Sequence, residues 1–258
     1  MNQIKIIFFD IDGTLIDMQR KVISDQTVYA LKQLQQNGIK ICVATGRPPL
    51  SLPDFHGVRF DAFLTFNGSL CYTEDAVIYR NPIPTEDVHI IIKNAADIHR
   101  PVSIATAERM SANGKDQDLI DYYAISKQEV KVSEDFTLLA QQEVYQIMMG
   151  CYPSEYPMVM RDVRHAKIAA WWDRAIDIIP ANGGKGIGVQ KILEHFQLSP
   201  AEAAAFGDGD NDIEMLQAVG TGIAMANASA NLKQAADVLC KDVREDGVYM
   251  YCKENGLI

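Results

Sequence analysis

Asp10 and Asp12 stand two residues apart in the run Asp10-Ile11-Asp12-Gly13-Thr14-Leu15. On an extended chain such residues project to the same side, so both carboxylates can reach one site. Two carboxylates this close repel, which raises one pKa unless a cation joins them. The pair suits cation binding, or nucleophilic and acid–base work shared between two groups. Gly13 permits a sharp backbone turn beside them. Taken alone, the run also reads as an acidic turn without chemistry.

Three further runs carry chemistry. In Gly207-Asp208-Gly209-Asp210-Asn211-Asp212, Asp208 precedes Asn211 by three residues and Asp212 by four. These spacings share one face where a chain enters a helix. A calcium loop of the EF-hand type needs a glutamate twelfth from Asp208, and Val219 occupies that position. Ala44-Thr45-Gly46-Arg47-Pro48 offers a hydroxyl beside free backbone N–H groups, a combination that holds phosphate oxygens. Lys185, in Asn182-Gly183-Gly184-Lys185-Gly186, is a point charge at a glycine-rich helix start and suits phosphate. Singly, these last two read equally as an ordinary strand-to-helix turn and a solvated lysine. The stretch Gly184-Lys185-Gly186-Ile187-Gly188 has the spacing of neither common nucleotide-binding glycine loop.

The elements around these runs are legible. Ile4-Lys5-Ile6-Ile7-Phe8-Phe9 is nearly all β-branched and aromatic, as in a strand buried on both faces of a parallel sheet. Ser24 or Asp25 can cap a helix that carries Val28, Leu31 and Leu34 and stops at Gly38. Ile39–Val43 is the next strand, which completes a βαβ unit, and Phe60–Thr65 is a third. Towards the other end, a helix over Ile187–Phe196 leads to a strand over Ala203–Phe206 and a helix over Ile213–Ala218. A strand over Thr221–Met225, a helix over Leu232–Ala236 and a strand over Val238–Cys240 follow. The expected fold is α/β, a doubly wound parallel sheet. Ligands bind such sheets at the carboxyl ends of the strands, and there the two aspartate runs and the Thr45 run fall.

The middle of the chain differs in texture. Helices are expected over Thr85–His99, Asp116–Ile125 and Tyr152–Arg161. Strands are expected over Val102–Ala107, Tyr145–Met149, Lys167–Trp172 and Ala175–Ile179. Pro82 and Pro84 mark one edge, and Pro180 with Asn182-Gly183-Gly184 the other. Residues 83–180 are therefore expected to form an inserted, smaller α/β domain, with 1–82 and 181–258 as the core. Tyr122, Tyr123, Trp171 and Trp172 read as core packing rather than a substrate platform, and His89 and His165 as surface residues.

In the order Asp, Thr, Lys, Asp, the four motifs resemble the haloacid dehalogenase superfamily of phosphohydrolases. They are most similar to its Cof-type branch, in which a large α/β cap is inserted after the threonine motif. The resemblance covers essentially the whole chain. Asn67-Gly68, at the end of the third strand, fits the branch, whereas Gly184 stands where the branch often has a hydroxyl residue. The resemblance implies a Mg²⁺-dependent phosphatase that hydrolyses small phosphate monoesters, such as sugar phosphates, through an aspartyl-phosphate. It implies Asp10 as nucleophile and Asp12 as acid and base. Asp10, the Asp12 carbonyl and Asp208 would hold Mg²⁺, with Asp212 anchoring the metal's waters. Thr45, Gly46, Lys185 and Asn211 would bind the phosphoryl group, and Arg47 and Asn67 are candidate substrate contacts. Related ATPases lack a carboxylate at the position of Asp12, which favours hydrolysis or transfer to an alcohol. A phosphomutase would use the same motifs. A non-catalytic regulator could dispense with them, yet every expected group is present.

Composition limits the partners. The chain has 258 residues, and 24 Lys+Arg against 34 Asp+Glu give a formal net charge of −10. That balance disfavours nucleic acid and anionic membranes, both of which need a basic surface. A small phosphorylated metabolite needs only a local cationic pocket, and no obligate protein partner is evident. Cys42, Cys71, Cys151, Cys240 and Cys252 form no C-x-x-C and are expected to be reduced thiols of a cytoplasmic protein. The apolar run Ile6–Phe9 is too short for a signal peptide, and no apolar stretch is long enough to span a membrane.

Overall fold

The computed structural model describes residues 3–125, 128–170 and 172–258. Trp171 lies outside the described residues. Ile6–Phe9 is a strand whose four side chains are all fully buried. It lies at the centre of an eight-stranded sheet. The order across the sheet is Val238–Leu239, Thr221–Ala224, Ala203–Gly207, Ile6–Phe9, Lys40–Ala44, Ala62–Thr65, Leu70–Tyr72 and Val77–Arg80. The first six strands run parallel. The last two are antiparallel and extend one edge. Sequence patterning did not resolve these two. Leu70–Tyr72 has only three residues, and Val77–Arg80 has no fully buried face to give it an alternation.

Ser24 caps the helix Asp25–Gln36 by accepting from the Thr27 N–H at 3.1 Å. The helix buries Leu31 and Leu34 in the sheet core. The helix Lys185–Phe196 buries Val189, Ile192 and Leu193 in the same core. A short hairpin, Ile16–Asp17 with Val22–Ile23, and a helix over Gly247–Glu254 complete this unit beyond the elements expected. Strand register sets Phe9 beside both Val43 and Phe206. The residues that follow these strands therefore leave the same end of the sheet side by side.

The chain divides into two compact units. One comprises Met1–Arg47, Leu52–Arg80 and Gly184–Ile258, and the other Pro48–Ser51 and Asn81–Gly183. The second unit has its own five-stranded antiparallel sheet, ordered Ala166–Ala169, Ala175–Pro180, Gln146–Gly150, Val102–Ala105 and Met110–Ala112. Alternate residues point to opposite faces. Val102, Ile104, Ile147, Met149, Ile176 and Ile178 accordingly share one core with Val88, Ile91 and Ala95 of the helix Thr85–Asp97.

The continuous helix expected over Tyr152–Arg161 is instead a 3₁₀ turn, Pro153–Glu155, and one helical turn, Tyr156–Val159. Pro157 lacks the N–H that a longer ladder would need. Tyr123 is buried, its hydroxyl 2.6 Å from Ser103 Oγ, and Tyr122 donates to Asp177 at 2.6 Å. Among the described residues, no helix is long and apolar enough to cross a membrane. All five cysteines are free.

Candidate active site

The strand Ile6–Phe9 delivers Asp10, whose N–H donates to the Phe206 carbonyl at 3.0 Å. The helix Lys185–Phe196 begins with Lys185, and its ammonium reaches the same place. Lys185 Nζ donates to Asp10 Oδ1 at 2.6 Å and to Asp212 Oδ1 at 2.5 Å. The other oxygen of Asp212 accepts from the backbone N–H groups of Asp208 and Gly209, both at 3.0 Å. Asp10, Lys185 and Asp212 are all buried. Gly13 has a φ of +91°, and a Cβ there would fall into the Asp208 carboxylate. Glycine is thus required both for the left-handed turn and for the approach of the two loops.

Charge in this place is unbalanced. One carboxylate oxygen each from Asp10, Asp208 and Asp212 lie within 4.8 Å of one another. Burial pushes the Asp10 carboxyl well above the usual carboxylate range. Lys185 pulls it back, while the charges of Asp212 and Asp208 push it further up. Burial, and then the Asp212 charge, raise Asp208 to about 7. Burial alone would lower Lys185, but Asp10 and Asp212 outweigh it and keep the ammonium charged. Three carboxylates around one ammonium leave excess negative charge in a low dielectric. Oxygen donors at this spacing, with that excess, suit a hard divalent cation such as Mg²⁺.

Asp12 faces elsewhere. Arg47 grips both of its oxygens, Nε to Oδ2 at 2.7 Å and Nη2 to Oδ1 at 2.6 Å. The Asp12 side chain is about one-third exposed and is not one of the three clustered carboxylates. The role expected for Asp12 at a metal used only its backbone carbonyl.

The strand Lys40–Ala44 delivers Thr45, buried, whose Oγ1 accepts from the Arg47 N–H at 3.1 Å. Asn67 lies against Gly46, where an added Cβ would come within 3.0 Å of the Asn67 amide nitrogen. Asn211 Nδ2 donates to Asn67 Oδ1 at 3.1 Å. Asp10, Thr45, Gly46, Asn67, Lys185, Asn211, Asp208 and Asp212 all belong to one compact unit.

Two contributors escaped the sequence reading. Thr14 donates to Asp208 Oδ1 at 3.3 Å. Asn227 Nδ2 donates to the Gly13 carbonyl at 2.8 Å and lies 3.4 Å from Asp208 Oδ2, while its own Oδ1 accepts from the Val243 N–H. Asn227 follows the strand Thr221–Ala224, beside Ala203–Gly207. The strand-end rule that singled out Thr45 and Asp208 applies to it equally.

The family model of haloacid dehalogenase-like hydrolases matches residues 7–251. YkrA of Bacillus subtilis (strain 168), a phosphatase by name, is 32% identical over 256 residues, covering 98% of each chain. A second protein of that strain, 5-amino-6-(5-phospho-D-ribitylamino)uracil phosphatase YitU, is 28% identical, covering 96% of each chain. The solved structure of BT4131, a sugar phosphatase of subclass IIB, superposes with a TM-score of 0.85 at 29% identity. That match covers 98% of this chain and all of BT4131.

Proposed function

The chain belongs to the haloacid dehalogenase-like hydrolases and is a phosphomonoesterase, and we propose that it hydrolyses small phosphate monoesters through an aspartyl-phosphate on Asp10. The observation that carries this reading is the Lys185 ammonium held between Asp10 and Asp212, with Asp208 beside them. A nucleophilic carboxylate must approach a phosphoryl group that is itself anionic. A buried, permanently charged lysine at the nucleophile offsets that repulsion.

In the first step an Asp10 oxygen forms a bond to phosphorus as the ester P–O bond breaks. Asp12, protonated, passes its proton to the leaving oxygen. In the second step Asp12, now a carboxylate, takes a proton from water. That water attacks phosphorus and releases Asp10 and inorganic phosphate. Arg47 holds both oxygens of Asp12 and so fixes the orientation of its carboxyl group. Thr45, Gly46, Lys185 and Asn211 hold the phosphoryl oxygens. Asp10, Asp208 and the Asp12 carbonyl would hold Mg²⁺, with Asp212 behind them, and the ion would supply charge neutralisation at the phosphoryl group.

The substrate class is a small phosphorylated metabolite, with sugar and polyol phosphates foremost. Two relatives support this by their names, one a sugar phosphatase and the other a phosphatase of a phosphoribityl compound. The inserted unit, which has its own sheet and core, is proposed as the cap that selects the leaving group. Five free cysteines accord with a reducing, cytoplasmic setting.

The test is phosphate release from a panel of phosphate esters, with Mg²⁺ and with EDTA, by wild type and by Asp10→Asn. The expected result is release that requires Mg²⁺ and falls by at least about a thousandfold in the variant. A variant that keeps more than about a tenth of wild-type turnover would sink the assignment of Asp10.

A further inference from the structure

The turn Phe66-Asn67-Gly68, which ends the strand Ala62–Thr65, has positive φ at all three residues: 51°, 53° and 91°. Glycine adopts that region freely and asparagine tolerates it, but phenylalanine there is strained. Strain of this kind persists only where the surroundings over-determine it. Here they do. Phe66 N–H donates to the Arg47 carbonyl at 3.1 Å, and Asn67 N–H to the Thr45 carbonyl at 3.0 Å. On the far side, Gly68 lies so close to Gly184 that a Cβ on it would overlap the Gly184 carbonyl oxygen.

One turn therefore touches three segments far apart in sequence. These are the Thr45–Gly46 loop, the residue that opens the Lys185 helix, and Asn211. Asn67 Oδ1 accepts from Asn211 Nδ2 at 3.1 Å, and its amide packs beside Gly46. We propose that Asn67 is a positioning residue of the phosphoryl site. Its amide orients Asn211, and its left-handed backbone seats the Thr45–Gly46 loop against the start of the Lys185 helix. This inference rests on the phosphatase reading of the same site.

The test compares Asn67→Gly, Asn67→Ala, Asn211→Ala and the double variant Asn67→Gly/Asn211→Ala. Glycine keeps the left-handed turn and removes only the amide, whereas alanine disturbs both. The readouts are the affinity for inorganic phosphate in Mg²⁺, kcat and KM, and Tm. Asn67→Gly is expected to weaken phosphate binding about tenfold, the scale of one lost hydrogen bond. The double variant is expected to match Asn211→Ala within about twofold, because the amide acts through Asn211. Asn67→Ala is expected to lose more affinity and to have a lower Tm than Asn67→Gly. Losses that multiply in the double variant, or unchanged phosphate affinity in Asn67→Gly, would overturn the proposal. Wild-type protein that binds no phosphate and hydrolyses no ester would overturn the phosphatase reading, and this inference with it.

Discussion

Lys185 lies 2.6 Å from Asp10 and 2.5 Å from Asp212, and it is the cation that keeps these two buried carboxylates together. Asp208 adds a third negative charge within 4.8 Å, so the ammonium compensates only part of the charge around it. A buried ion pair is worth little against an apolar replacement of the whole set, but losing one partner leaves an uncompensated charge. The geometry thus gives Lys185 a structural role beside the phosphoryl-binding role proposed for it.

Lys185→Met should accordingly lose stability as well as activity. The expected cost is about 3–5 kcal/mol in metal-free protein, the scale for breaking a buried pair on one side. Mg²⁺ should restore part of it, because a cation that binds only the folded state stabilises by mass action. Turnover in Mg²⁺ should fall by at least about a hundredfold, as for the loss of one preorganised charge-stabilising donor. Thermal unfolding in EDTA and in Mg²⁺, alongside phosphate release, reads both effects. An unchanged Tm in EDTA would mean that the cluster is not strained.

The grip of Arg47 on Asp12 bears on the leaving group. A proton donor matters most where the departing alcohol is a poor leaving group and least for an activated phenol. Asp12→Asn should therefore reduce kcat on a sugar phosphate by about 10²–10⁴-fold and spare p-nitrophenyl phosphate in the first step. Measuring kcat on both esters, together with burst-phase release of p-nitrophenol, separates the steps. Equal losses on both substrates in the burst would remove Asp12 from the acid role.

The second unit carries a network of ion pairs. Arg100 donates to Asp116 at 3.0 Å, to Asp118 at 2.9 Å and to Glu155 at 3.1 Å, while Arg174 donates to Asp118 at 2.7 Å and to Asp121 at 2.9 Å. Burial acts to raise Asp118, but hydrogen bonds from Arg174 and Arg100 outweigh it and hold the carboxyl below its usual range. A carboxylate depressed in the folded state contributes stability that is present above the unfolded pKa. That contribution is lost as pH falls below about 4, towards the folded value. Asp118→Asn should lower Tm at neutral pH by about 5 °C and make the decline below pH 4 shallower. A pH series of melting curves for both proteins checks this, and parallel declines would exclude Asp118 as a contributor.

The amino-acid sequence by itself determined the parallel strands and the residues at their ends. Runs such as Ile4–Phe9 leave no polar face, and Asp10, Thr45 and Asp208 follow strands directly, so local periodicity places them at one sheet edge. The antiparallel edge Leu70–Arg80 escaped because its strands are short or half-exposed and carry no period to read. The helix expected over Tyr152–Arg161 failed at Pro157, where one missing N–H outweighed the spacing of apolar residues.

Only the tertiary structure decided which groups meet. Lys185 is 175 residues from Asp10, and Asn211 is 144 from Asn67. No spacing rule reaches across such separations. Nor could the sequence tell that Asp12 turns to Arg47 while Asp10 turns to Lys185, although the two aspartates leave the same strand. That choice depends on the approach of the Thr45–Arg47 loop on one side and the Lys185 helix on the other. The sheet order sets it, because strands distant in sequence lie side by side and carry their end loops with them.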